Sequence, residues 1–262
     1  MTSTRHPAVA GSFYPADAAE LHRMLQGFLA VAPTDPLGPP KAIIAPHAGY
    51  VYSGPVAASV YAQLRAAADR ISRVVLLGPS HRVAFRGIAA SSADYFATPL
   101  GSVPLDRAAL DTLSDLPFVH ILDQAHGQEH SLEVHLPFLQ EVLKCFSLVP
   151  LVAGDAPPEQ IAAVLERLWG GEETLIVVSS DLSHYHSYTE AQHMDSATSA
   201  AIAQLRYQDL DYQDACGRVP VSGLLYAAQR RGLRCKVLDL RNSGDTAGPR
   251  DQVVGYGAYA FH

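Results

Sequence analysis

Three runs of aliphatic and β-branched residues stand out along the chain, and each stops abruptly at a polar loop. Lys41-Ala42-Ile43-Ile44 leads into Ala45-Pro46-His47-Ala48-Gly49-Tyr50, and Arg73-Val74-Val75-Leu76-Leu77 leads into Gly78-Pro79-Ser80-His81. Thr174-Leu175-Ile176-Val177-Val178-Ser179-Ser180 opens into Asp181-Leu182-Ser183-His184-Tyr185-His186. Unbroken apolar runs that end at turn-forming or polar residues predict strands buried on both faces of a parallel sheet. Between them the pattern turns helical. Asp17 and Glu20 stand at capping-box spacing ahead of a helix over 18–29. Ser53 as N-cap and Pro55 in the first turn predict another helix, with Val56, Val60 and Leu64 on its apolar stripe and an end near Ala68. Further helices are predicted over 105–113, 132–143, 161–169, 191–205 and 221–230, and strands over 87–92, 148–152, 236–240 and 253–260. Residues 31–40 carry four prolines and a glycine and read as a connecting loop. With no repeat and no domain-sized linker, this alternation predicts one three-layer α/β domain over 1–262, with a mostly parallel central sheet.

Loops at the carboxyl ends of parallel strands are where ligands bind in such sheets. His47 and His81 are both delivered to that edge, and the third junction adds Asp181 and His184. A single loop histidine is usually just solvent-exposed. Three such loops in equivalent positions point instead to a metal site. The segment His126-Gly127-Gln128-Glu129-His130-Ser131-Leu132-Glu133-Val134-His135-Leu136-Pro137 leaves two readings open. A helix over 129–135 would put Glu129 and Glu133 on one face with His130 beside them and His135 elsewhere. Pro137 is equally compatible with a helix that starts there, leaving the acidic residues and histidines in a loop. The cluster is then either a solvated face of mixed charge or a glutamate and a histidine orienting a ligand from behind. His-Glu-x-x-His spacing is absent, so a zinc hydrolase is not supported.

Cys145, Cys216 and Cys235 are odd in number and contain no Cys-x-x-Cys pair, which excludes a zinc ribbon and a disulfide framework. Cys145 and Cys235 read as small apolar residues at element edges. Cys216 precedes a helical run and has Arg218 nearby, an environment expected to favour its thiolate. The 262 residues suffice for a large core, and 48% hydrophobic with 17% charged residues is ordinary for a globular protein. A net charge of −7 argues against a nucleic-acid surface. No stretch approaches the ~20 apolar residues of a membrane span. The first residues lack the apolar run of a signal peptide, so the expected address is the cytoplasm.

Several of these segments, in this order, resemble the Memo family, which includes the B protein of the bacterial AmmeMemoRadiSam set. The matching stretches are Arg5-His6-Pro7-Ala8-Val9-Ala10-Gly11-Ser12-Phe13-Tyr14-Pro15, the Ala45–Tyr50 and Gly78–His81 runs, Glu129 to Pro137, Ser179 to His184, and Cys216-Gly217-Arg218. The resemblance implies the fold of the class III extradiol dioxygenases and a metal held by two histidines and a third ligand. That ligand is glutamate in the dioxygenases and cysteine in Memo-like proteins. It implies His47, His81 and Cys216 as the metal set, suited to iron or copper, with zinc competing. His184 would be an acid/base histidine, with Asp181 and Glu133 orienting imidazoles or contacting substrate. The implied activity is a metal-dependent oxidoreductase acting on a small aromatic or phenolic molecule. The alternative is a non-catalytic module that takes a peptide or protein partner in the same cleft. Because the thiolate is softer than a carboxylate and oxidisable, ring cleavage does not follow from the resemblance.

Overall fold

The computed structural model describes residues 2–34 and 37–262; Met1, Asp35 and Pro36, the last two within the loop expected over 31–40, lie outside the described residues. The three apolar runs form neighbouring parallel strands. Thr174–Ser179 lies in the middle, paired with Ala42–Ala45 on one side and Arg73–Pro79 on the other. Ser147–Ala153 continues the parallel set beyond Arg73–Pro79. The margins are antiparallel. Val253–Phe261 pairs with Ala42–Ala45 and carries Cys235–Asn242 and His184–His186 along its length. At the other margin Ile88–Ala90 runs against Ser147–Ala153 and alongside Val119–Ile121. Every residue of Ala42–Ala45 and Thr174–Ser179 is buried, which is why these strands read as unbroken apolar runs.

Helices cover both faces. Ala18–Val31 is capped by Asp17, whose carboxylate accepts the Glu20 N–H at 2.9 Å, and it buries Leu21, Leu25 and Leu29. Each such side chain contributes roughly 1.5–3 kcal/mol on burial. This helix packs closely on Tyr50–Tyr61, where a Cβ on Gly54 would lie 2.5 Å from the Phe28 ring. Pro158–Leu168 and Arg218–Arg231 meet as tightly, with a Cβ on Gly223 falling 2.2 Å from Ile161. The strand Val253–Phe261 separates the layers. Gly255 faces Asp195 of helix Tyr188–Ala203, whereas Asp239, opposite Ala258 on the neighbouring strand, accepts from Ser59 of Tyr50–Tyr61. The sheet between two helical layers is the expected three-layer α/β arrangement.

Some boundaries differ from expectation. The helix expected from Ser53 begins at Tyr50, ends at Tyr61 and continues as a 3-10 turn over Ala62–Ala67. Tyr50 is buried and donates its hydroxyl to the Val134 carbonyl at 2.6 Å, so its burial extends the helix backwards, and Ser53 instead bonds the Ala48 carbonyl. The 132–143 helix resolves into a 3-10 turn at Glu133–His135 and an α-helix over Leu136–Val142. The 105–113 helix shortens to Arg107–Asp111 behind the cap Asp106. A second sheet, Thr4–Arg5 with Tyr95–Thr98 and Gly101–Pro104, was not foreseen, because its strands are too short and too exposed to leave an apolar run. Cys145 lies between Leu136–Val142 and Ser147–Ala153, at an element edge as expected, but it is exposed. Among the described residues no helix is long and apolar enough to cross a membrane.

Candidate metal centre

His47 and His81 each lie two residues past their strand, and the strand between them delivers Asp181 two residues past its own end. The His47 and His81 ring centroids are 5.2 Å apart. Cys216 arrives from a distant segment, just before helix Arg218–Arg231, and its Sγ stands 3.3 Å from His47 Nε2. Gly217 makes that approach possible. A Cβ there would lie 2.4 Å from the Ser179 carbonyl oxygen and 2.6 Å from Ser180 Cβ, and the Gly217 N–H donates to Ser180 Oγ at 3.0 Å. One donor atom from each of His47, His81 and Cys216 lies within 4.8 Å of the other two, close enough to hold a metal ion. His184 sits half-buried beside them, within electrostatic reach of His47 and His81.

Burial dominates the electrostatics. It holds the His47 imidazole well below its ordinary range, and the neighbouring His81, His130, His135 and His184 add to the effect. The same cause lowers His184. Asp181 is pushed up to about 7 by burial, against the pull of the backbone N–H groups of His47 and Ala48. Its Oδ1 accepts the His47 N–H at 2.8 Å, and its Oδ2 is 3.9 Å from His47 Nε2. The Cys216 thiol is pushed up, first by burial and then by Asp181, which overrides the helix start that favoured a thiolate in the sequence. In the metal-free chain it keeps its proton, and a bound cation would displace it.

The two glutamates flagged in the sequence part company. Glu133 accepts from the Arg5 guanidinium, from Ala8 N at 2.7 Å, from Val9 N at 3.0 Å and from Tyr14 Oη at 2.5 Å. Among the described residues, none of its hydrogen bonds goes to an imidazole. Glu129 is the carboxylate behind a histidine. Its Oε1 accepts His81 Nδ1–H, His130 N–H and Ser131 N–H, each at 2.9 Å, and its Oε2 accepts His81 N–H at 2.6 Å. Burial pushes this carboxyl up, yet those bonds win and hold it at about 2. With both oxygens engaged, Glu129 orients His81 rather than joining it and His130 around a cation. His130 stacks on the His81 ring at 4.8 Å and meets Phe13 edge-on. Burial takes His130 down to about 4 and the fully buried His135 to about 3. A helix over 129–135 would have pointed His135 elsewhere; with only a 3-10 turn at Glu133–His135 it reaches the back of the site, with Nε2 2.8 Å from Ser179 Oγ.

A family model described as Memo-like protein matches residues 5–260. The chain belongs to the Memo family. A MEMO1 family protein from Aquifex aeolicus (strain VF5) is 38% identical over 264 residues, covering 96% of this chain and 97% of that one. Another from Archaeoglobus fulgidus is 34% identical over 269 residues, covering 98% and 99%. The crystal structure of uncharacterized protein JW3007 from Escherichia coli K12 superposes with a TM-score of 0.55 at 15% identity, covering 84% of this chain and 98% of that chain, a likeness of fold. In this Memo chain the motif segments meet at two places. The 5–15 segment is pinned onto 129–137 through Glu133, and the strand-end segments meet Cys216 at the candidate metal centre.

Proposed function

We propose that His47, His81 and Cys216 hold a redox-active metal, iron or copper with zinc as a competitor, and that the chain is an oxidoreductase acting on a small aromatic or phenolic molecule. The observation that carries this reading is the convergence of two imidazoles and one thiol within 4.8 Å at the carboxyl ends of parallel strands. The donor set fits: neutral imidazoles suit iron, copper and zinc, and a thiolate adds softness. The metal, when bound, would supply electron transfer and polarise a substrate oxygen. His47 stays neutral because it is buried, which keeps a nitrogen lone pair available. Asp181, with its carboxyl near 7, is suited to take up the proton that leaves Cys216. His184, kept neutral by burial, would accept a phenolic proton. Glu133 supports the site from a distance, by fixing the N-terminal segment whose Phe13 packs on His130.

Metal analysis of anaerobically purified protein, followed by turnover of catechols and phenols, tests the proposal. Stoichiometric iron or copper that is lost in His47→Ala supports it; no bound metal and an inert His47→Ala end it. A second reading, a cleft for a peptide partner, draws on Tyr52 and Tyr185, which are exposed and lie within electrostatic reach of Tyr256, as Asp181 does. Peptide affinity unchanged by removing the metal would favour it.

A further inference from the structure

Behind His47 runs a chain of hydrogen bonds whose direction follows from counting protons. Ser179 Oγ has three partners: the Ser131 carbonyl oxygen at 2.6 Å, His47 Nδ1 at 2.6 Å and His135 Nε2 at 2.8 Å. A hydroxyl carries one proton, and a carbonyl can only accept. Ser179 therefore donates to Ser131, and both ring nitrogens must bring their own N–H to Oγ. His135, protonated on Nε2, presents a lone pair at Nδ1, and the Tyr61 hydroxyl donates to it from 2.8 Å. Tyr61, Ser179, His135 and His47 are each no more than 2% exposed, so water does not compete for these positions. One arrangement of protons satisfies every member.

We propose that Ser179, His135 and Tyr61 form a positioning relay that fixes His47 as its Nδ1–H tautomer and leaves Nε2 bare toward Cys216. The consequence for metal affinity rests on the metal-binding reading above; the tautomer does not. Without the relay, His47 could carry its proton on Nε2 and donate it to Cys216 Sγ, 3.3 Å away. That Nε2 proton would have to leave or move to Nδ1 before the nitrogen could ligate a cation, whereas with the proton on Nδ1 only the Cys216 thiol proton has to be displaced. His81 is held from behind as well, but by the charged carboxylate of Glu129. At the fully buried His47 the acceptor is a neutral hydroxyl, which orients the ring without burying another anion beside Asp181.

Imidazole nitrogen NMR of the metal-free chain reads the tautomer directly, and titration with Co(II) alone reads its consequence. Wild type is expected to show His47 protonated on Nδ1. Ser179→Ala should move His47 toward the Nε2–H form and weaken Co(II) binding by about 10–100-fold, the usual loss when an outer partner of a ligating histidine is removed. Ser179→Thr, which keeps the hydroxyl, should restore both readouts. Tyr61→Phe keeps the ring stacked on Phe138 and frees His135 Nδ1, so it should shift both readouts in the same direction by less. If Ser179→Ala does not fold, Tyr61→Phe and Ser179→Thr decide the matter. His47 protonated on Nε2 in wild type overturns the relay. So does an unchanged tautomer in folded Ser179→Ala or, failing that, in Tyr61→Phe. Should wild type bind no Co(II), the metal reading fails while the tautomer spectra still judge the relay.

Discussion

Replacing Glu129 by glutamine changes one atom and tests how the site is held. Both carboxylate oxygens accept N–H groups, three on Oε1 and one on Oε2. A glutamine amide must point its NH2 at one of those sets. The better orientation keeps oxygen toward Nδ1 of His81 and the two backbone groups, and sets NH2 against the His81 backbone N–H, where the carboxylate oxygen lay at 2.6 Å. A buried donor left facing a donor costs about 1–3 kcal/mol. Titration gives an independent figure. The carboxyl falls from 4.5 to about 2, an order-of-magnitude contribution of about 3 kcal/mol. A depressed carboxyl contributes fully above its unfolded value and loses that contribution as pH falls through the folded value. Denaturant unfolding of the chelator-treated protein should therefore place Glu129→Gln about 2–3 kcal/mol below wild type near neutral pH, with the gap narrowing only between 4.5 and 2. Equal stabilities near neutral pH, or a gap that does not change below 4.5, would refute the reasoning.

Gly217→Ala forces a methyl against the Ser179 carbonyl and should cost about 1–3 kcal/mol while lowering Co(II) affinity; thermal melts and titration check this. Gly27→Ala, where a Cβ meets nothing within 4 Å in the helix Ala18–Val31, is the control and should stabilise by about 0.5–1 kcal/mol. Arg5→Met takes the cation from the buried Glu133 carboxylate and the donor from the His126 and Glu129 carbonyls, and should destabilise by about 3–5 kcal/mol in urea unfolding. Asp181, raised from 3.8 to about 7, contributes stability fully below 3.8 and loses it as pH rises through 7. In chelator, wild type should therefore lose stability relative to Asp181→Asn between those values, as followed by denaturant unfolding across that range.

How much of the site could be read in advance depended on whether each contact was local. His47 and His81 were legible because a strand buried on both faces leaves an unbroken apolar run, and Pro46 and Pro79 mark where the strands end or the chain turns away. Asp181 was legible for the same reason, at the end of Thr174–Ser179. From its own neighbours Cys216 was visible only as a thiol before a helix, and its place beside His47 and His81 came from the family resemblance. Its approach to His47 depends on the clearance between Gly217 and the Ser179 carbonyl, and no local pattern encodes that contact. The expected thiolate was wrong for a related reason: burial and Asp181 are properties of the assembled site.

Glu129 and Glu133 show the limit most clearly. Four residues apart, they share a face only if the segment between them is helical, and the imidazole-orienting role was expected of Glu133, whereas Glu129 is the one bonded to an imidazole. The 3-10 turn starts at Glu133, so Glu129 precedes it and curls back onto the N–H groups of His130 and Ser131. From there it reaches His81, while Glu133 turns to Arg5. One carboxylate thus sets the orientation of a histidine and the other anchors the N-terminal segment. Pro137 carried the hint, since a helix that begins beside a proline cannot also contain the glutamate eight residues before it.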